Sequence, residues 1–181
     1  MKALFVLSND IEDVETLATR GLLVRSGFDV TMISTEETLM IRTAFGLRFE
    51  ADALLSGINI SDYDLLIIPG GKYVANTINR NQVIPQLAKE FAANDKVIAA
   101  ICAGPRFLGK AGLLDHTRFT AYPGSEVDMP KGIYCPEKKA MTEGNIITGK
   151  GAGTVYQFVY EIVKYFKGTT AADNLFESIQ Y

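Results

Sequence analysis

The residue best placed to do chemistry is Cys102. It closes an unbroken apolar run, VIAAI at 97–101, and is followed by Ala103, Gly104 and Pro105. Beyond them Phe107, Leu108, Ala111 and Leu114 recur at helical spacing, so residues 97–114 predict a buried strand, a sharp turn and a helix, with a thiol on the turn. Small residues let the chain reverse tightly there, and the start of a helix favours a thiolate over a thiol. The competing account is an inert core cysteine, the commoner fate of a lone cysteine at a strand end.

Two further features bear on that sulfur. Pro69, Gly70 and Gly71 end the run DLLII, and glycine lets backbone N–H groups approach a ligand closely. With the Ala103 N–H, Gly71 then offers an oxyanion pocket, although a PGG sequence by itself is also an ordinary turn. Glu12, Asp13 and Glu15 open the first predicted helix, where the helix dipole alone accounts for Glu12 and Asp13. Glu15 falls on the predicted sheet-facing side, near Val14 and Ala18. A carboxyl buried there keeps its proton, can donate a hydrogen bond to a neighbouring thiolate and so lowers the thiol pKa. The second thiol, Cys135 in IYCPE, reads as a loop or edge cysteine. With no CxxC and one histidine, neither a disulfide framework nor a zinc site is expected, and no other metal site is predicted.

The elements that must hold these residues alternate. Residues 2–7 predict the first strand and Asn9 or Asp10 a cap for the helix that follows, with Val14, Leu17, Ala18, Leu22 and Val24 suited to packing on a sheet. FDVTMIS is a second strand, residues 38–49 a short hairpin, 51–55 a brief helical turn and DYDLLIIPGG a buried strand. Residues 79–94 predict a helix in which Pro85 must either lie in the first turn or cause a kink. After the thiol come short strands in TRFTAYPG, KGIYC, KKAMTEG and NIITGKGAG, then helices over 154–166 and 171–179. Strands alternating with helices imply an α/β sandwich with a mainly parallel sheet, whose ligand chemistry gathers at the carboxyl ends of the strands.

The chain of 181 residues, 48% of them hydrophobic, fits a single domain over 1–181. A net charge of −3 without any basic stretch argues against nucleic acid and acidic membranes as partners. MKALFVLSND lacks the long apolar core and cleavage site of a secretion signal, so a cytoplasmic protein with free thiols is expected.

AAICAGP, DYDLLIIPGG, EDVET and ITGKGAGT, in this order along the chain to about Phe166, resemble the ThiJ/PfpI superfamily in the branch of the parkinsonism-associated protein deglycase. The resemblance implies a flavodoxin-like three-layer sandwich, of the class I glutamine-amidotransferase-like kind, and a homodimer whose interface involves the first helix. It makes Cys102 a nucleophilic, easily oxidised cysteine, Glu15 its protonated partner, Gly71 and Ala103 backbone donors, and Gly70 a neighbour of the site. It also sets Arg25 at the dimer interface close to the site, and implies no cofactor. The chain departs from the family pattern at Tyr122-Pro123, where many members have His-Pro, and at Lys150 and Ala152, where relatives carry arginine and proline. The single histidine, His116, sits in the polar turn LLDHT and reads as a surface residue.

The leading functional expectation is a cysteine-dependent stress protein acting on small reactive carbonyls or glycated groups, as a glyoxalase or deglycase-type lyase or hydrolase. The alternative is a non-enzymatic oxidative-stress sensor or redox-regulated chaperone, and a weaker one an intracellular cysteine peptidase-like hydrolase, against which the His-Pro departure argues. A flavin carrier is disfavoured, because the acidic SNDIEDVE after the first strand would repel a phosphate.

Overall fold

Continuous apolar runs become strands buried on both faces, and every strand near the centre is of that kind. In the computed structural model, which describes residues 1–181, β1 (Lys2–Leu7) leads through a loop to α1 (Asp13–Arg25) and β2 (Asp29–Ser34). The hairpin β3 (Met40–Arg42) and β4 (Arg48–Glu50) precedes β5 (Ala53–Leu54) and β6 (Leu65–Ile68). Then follow α2 (Lys72–Thr77), α3 (Val83–Ala93), β7 (Val97–Ile101) and α4 (Pro105–Lys110). The short strands β8 (Arg118–Phe119), β9 (Ile133–Tyr134), β10 (Ala140–Glu143) and β11 (Ile146–Gly149) lead to α5 (Val155–Lys167) and α6 (Thr169–Ser178).

Seven strands form one sheet in the order β10-β11-β7-β6-β1-β2-β5. All neighbours are parallel except β10, which runs antiparallel to β11. The expected mainly parallel α/β architecture is therefore present. The chain moves outward from β1 to β2 and β5, then returns to lay β6 on the other side of β1, so the order reverses between β1 and β6. Such a switch point opens a crevice at the carboxyl ends of the strands. Phe5 stands level with Ile67, and Ile67 with Ala99. Carried three residues further, this register sets Ser8, Gly70 and Cys102 at one height. A continuous core of 45 buried apolar residues packs the helices on the sheet. No helix is long and apolar enough to cross a membrane.

The hairpin over 38–49, the four short strands after the elbow and the two terminal helices stand as expected, and Pro85 lies in the first turn of α3. Four local expectations are corrected. First, α1 is rotated from the expected face: Glu15 and Leu22 are buried as expected, but Thr16, Thr19 and Leu23 are buried with them, whereas Val14, Leu17 and Val24 are exposed. Second, the helix is capped by Glu12, whose carboxylate accepts the Glu15 N–H at 2.7 Å, because Asp10 takes a left-handed backbone (φ 66°) instead of starting the helix. Third, Ala53 and Leu54 pair with Ile33 and Ser34 as a sheet edge, and only then does the chain make a turn of 3₁₀-helix. Fourth, residues 72–77 form a helix of their own, α2, and the helix after the thiol stops at Lys110 instead of continuing to Leu114. Gly109 and Gly112 end its usefulness as a helix, the latter at φ 75°.

Candidate active site

Three loops at the carboxyl ends of adjacent strands converge, one following β1, one β6 and one β7. Cys102 begins the last of them with φ 63°, a left-handed conformation that costs a non-glycine residue about 1–2 kcal/mol. The fold holds it there from both sides. Its N–H donates to the Gly149 carbonyl at the end of β11 (2.9 Å), and its own carbonyl accepts the Tyr122 N–H (2.8 Å). Gly104 follows because nothing larger fits: a Cβ there would lie 2.4 Å from the Ile68 carbonyl oxygen. The thiol is thus aimed into the crevice by a tight, strained elbow.

Glu15 reaches the same point from α1. It is completely buried, and its Oε2 accepts the Gly70 N–H at 2.7 Å. A Cβ on Gly70 would stand 2.7 Å from the Cys102 Cβ, 2.9 Å from Glu15 Oε2 and 3.0 Å from the Ala103 nitrogen, so this glycine marks the junction of thiol, acid and backbone donor. Tyr73, buried beneath, donates its hydroxyl to the Pro69 carbonyl (2.8 Å) and fixes the end of the strand. The other carboxyl oxygen, Oε1, is buried without a partner of full hydrogen-bond geometry. Cys102 Sγ and the Ala152 N–H are the remaining polar groups that act on this carboxyl.

The electrostatics tie the two groups together. Burial raises the Glu15 carboxyl to about 7, against the opposing pull of Cys102 and the Gly70 N–H. Burial and then the charge of an ionised Glu15 push the Cys102 thiol up, and the Ala103 N–H pulls it down. The thiolate expected from the elbow is therefore conditional: the sulfur ionises at least cost when Glu15 holds the proton. The two side chains titrate as a pair. With only six residues, α4 contributes less of a dipole than the longer helix expected from the sequence.

The Gly71 N–H makes no hydrogen bond within the protein and the Ala103 N–H acts only on the Cys102 sulfur, and both residues line the same cleft as the thiol. The cleft is ≈ 450 Å³ in volume. Gly71 adopts φ 130°, and a Cβ there would lie 2.5 Å from the Asp10 carbonyl oxygen, so the loop after β1 is packed hard against it. The opposite wall is Tyr122, Pro123, Gly124 and Ser125, and the rim carries Phe45, 77% exposed at the tip of the β3-β4 hairpin. An anionic oxygen in the cleft, next to the sulfur, would meet these two donors.

The structure thus brings together Cys102, Glu15, Gly70, Gly71, Ala103 and Tyr122. Tyr122 is 57% exposed and serves the elbow through its backbone, with its ring beside Gly151. Arg25 lies in the last turn of α1, ten residues and nearly three turns from Glu15, and lines a separate groove with Lys167 and Asn174. Within one chain it is remote from the thiol. Cys135 is buried behind β9, with its thiol directed at the Ile133 carbonyl (3.6 Å), and His116 is exposed on a turn; neither lines the cleft. Sequence reasoning missed Lys72, Arg106 and Phe45. Arg106 follows the CAGP turn directly, and a cation one turn from a candidate nucleophile was the available signal.

A parallel α/β sheet with a cysteine on a strained strand-to-helix elbow, a buried carboxyl beside it and backbone N–H donors next to it defines a class of nucleophilic-cysteine domains. The chain belongs to the DJ-1/PfpI family, whose model matches residues 1–165. Among its relatives, Deglycase PfpI of Pyrococcus furiosus is 29% identical over 92% of this chain and 100% of its own length. The Glutathione-independent glyoxalase DJR-1.2 of Caenorhabditis elegans is 29% identical over 94% of this chain and 90% of its own. Protein DJ-1 homolog A of Arabidopsis thaliana is 31% identical over 95% of this chain, which spans only 44% of that longer protein. The oxidized Toxoplasma gondii DJ-1 structure superposes with a TM-score of 0.91 at 28% identity, covering 99% of this chain and 98% of its own.

Proposed function

We propose that this protein is a cofactor-independent, Cys102-dependent enzyme that detoxifies small reactive carbonyls or reverses their adducts on thiols and amines. The observation that carries the reading is that Cys102, Gly71 and Ala103 line one cleft while the Glu15 carboxyl is buried immediately behind the thiol at Gly70. The deglycase and glyoxalase activities for which the Pyrococcus furiosus and Caenorhabditis elegans relatives are named support it.

For a 2-oxoaldehyde the steps follow from the groups present. The thiolate adds to the aldehyde carbon, an S–C bond forms and the carbonyl electron pair moves onto oxygen, toward Gly71 and Ala103. Glu15, raised to about 7, is suited both to give and to take a proton near neutrality. It first gives its proton to the new alkoxide oxygen and then, ionised, takes the hydrogen from the carbon bearing sulfur and delivers it to the neighbouring ketone carbon, so the first carbon is oxidised and the second reduced within one molecule. Water then cleaves the resulting thioester, releasing a 2-hydroxy acid and the free thiol. Overall one water is added. No imidazole takes part, and Tyr122, at the family's His-Pro position, is too weak a base to replace it. Lactate formation from methylglyoxal tests the reading, and equal turnover by Cys102→Ala overturns it.

A second reading, oxidant sensing, is supported by the half-exposed Cys102 and the distance of Cys135 from the cleft, which leaves no resolving thiol beside it. Without one, sulfenate advances to sulfinate, whose two oxygens can use both the protonated carboxyl and the N–H donors. Mild peroxide should add two oxygens to Cys102 alone; indiscriminate oxidation of methionines and Cys135 would remove this reading. The exposed Val14, Leu17 and Val24 on α1 support a homodimer through that face. A cytoplasmic, reducing location is consistent with two free thiols.

A further inference from the structure

Two cations that the carbonyl chemistry leaves idle line the cleft. Arg106, in the first turn of α4, and Lys72, in the first turn of α2, border the space that the Cys102 thiol faces. The Arg106 side chain retains 19% of its surface, and its Nε donates to Asp128 Oδ2 at 2.5 Å. That is the only hydrogen bond the guanidinium makes within the protein, so both terminal nitrogens are unclaimed. Asp128 does not cancel the charge, because Lys110 Nζ also lies 3.4 Å from its Oδ1, and two cations on one carboxylate leave a positive excess. Lys72 is exposed and joins no ion pair. The one carboxylate among the lining residues, Glu12, has its Oε2 engaged by the Glu15 N–H as the cap of α1. A guanidinium tethered at Nε, with its two outer nitrogens free beside a partly desolvated space, is the fork that matches the two oxygens of a carboxylate.

We infer that Arg106, assisted by Lys72, makes the Cys102 cleft selective for carbonyl compounds that carry a carboxylate, such as 2-oxoaldehydes with an anionic far end, over neutral ones such as methylglyoxal. This substrate class rests on the reading of Cys102 as the nucleophile toward carbonyls. The carboxylate binds the fork and the aldehyde carbon faces the sulfur, which adds to it as it would to any 2-oxoaldehyde. Arg106 is a binding residue here, and the reacting carbon remains with Cys102 and Glu15.

The test uses the full chain and two alkylating agents that differ in charge, iodoacetate and iodoacetamide; with each, an S–C bond forms at Cys102 and iodide leaves. The iodoacetate-to-iodoacetamide rate ratio at Cys102, divided by the same ratio for a free cysteine derivative, should exceed one by about five- to tenfold at low salt and shrink as salt rises. It should fall toward one in Arg106→Met and by a smaller factor in Lys72→Met, which breaks no contact of the fold. Arg106→Lys, which keeps the charge without the fork, should lie between. A wild-type ratio at or below one, or ratios unchanged in both Arg106→Lys and Lys72→Met, overturns the inference. Turnover then fixes the substrate class. The preference for 4,5-dioxopentanoate over methylglyoxal, read as the quotient of their kcat/KM values, should be high in the wild type and drop in Arg106→Met; an equal preference in both proteins overturns that assignment. If no carbonyl is turned over while the alkylation ratio holds, the proposed enzyme activity fails and the anion-selective cleft stands.

Discussion

The Gly70 N–H and the Glu15 Oε2 are joined by a 2.7 Å hydrogen bond that crosses from the end of β6 to α1, 55 residues apart in the chain. It satisfies one oxygen of a completely buried carboxyl and leaves the other without a hydrogen-bond partner. The fold therefore holds the acid by one oxygen and leaves the second for chemistry.

Substituting Gly70 by Ala would force a Cβ to within 2.7 Å of the Cys102 Cβ and 2.9 Å of Glu15 Oε2. The thiol and the acid must then separate, so turnover should fall by at least tenfold, with a loss of about 1–3 kcal/mol in urea unfolding. Gly57→Ala, where a Cβ meets nothing within 4 Å, should change stability by less than about 0.5 kcal/mol. Equal behaviour of the two variants would refute the junction assigned to Gly70.

Glu15 should make stability depend on pH in a defined window. Its folded pKa of about 7 lies above the ordinary carboxyl value of 4.5, so the native state binds the proton more tightly than the unfolded chain does. The resulting contribution, about 3 kcal/mol, is fully present below pH 4.5 and is lost as pH rises through 7. Glu15→Gln, which mimics the protonated acid at every pH, should therefore match the wild type below about pH 4.5 and become the more stable of the two as pH rises through 7. A constant difference between them would show that the carboxyl does not titrate there.

The left-handed backbone of Cys102 predicts an unusual order of stabilities. Cys102→Gly and Cys102→Ala both lose the thiol and should both lose turnover, but only glycine tolerates φ 63° without strain. Allowing for the extra freedom glycine gains in the unfolded chain, the Gly variant should be the more stable by up to about 1 kcal/mol. Thermal unfolding reads this directly, and a more stable Ala variant would mean the elbow is relaxed.

The exposed row on α1 predicts assembly. Leu17→Glu, at a position that packs against nothing in its own chain's core, should convert a dimer to a monomer in light scattering while leaving the circular dichroism spectrum intact. An unchanged mass would exclude this face as the interface.

The architecture was legible because long apolar runs separated by helical spacing admit little besides a parallel sheet, and because Cys102 and the glycines of PGG mark the strand ends by themselves. The orientation of α1 was not. Apolar and small residues occur on both of its sides, so periodicity placed Glu15 and Leu22 inward but could not exclude Val14, Leu17 and Val24, and the burial of Thr16 and Thr19 in their place is settled only by the partners around them. The short α2 escaped for a related reason: KYVANT has neither a side-chain cap nor the length to show a period. Arg106 and Lys72 meet only through tertiary structure, since they lie on different helices.

Asp13 lies two residues before Glu15, and its carboxylate accepts hydrogen bonds from the Thr43 hydroxyl (2.6 Å) and the Phe45 N–H (3.2 Å) in the β3-β4 hairpin. One helical turn therefore carries the proton donor inward and tethers the doorway outward. A push on the outer side of that helix by any bound neighbour would shift threshold and acid as a single lever, coupling admission of a molecule to readiness of the sulfur.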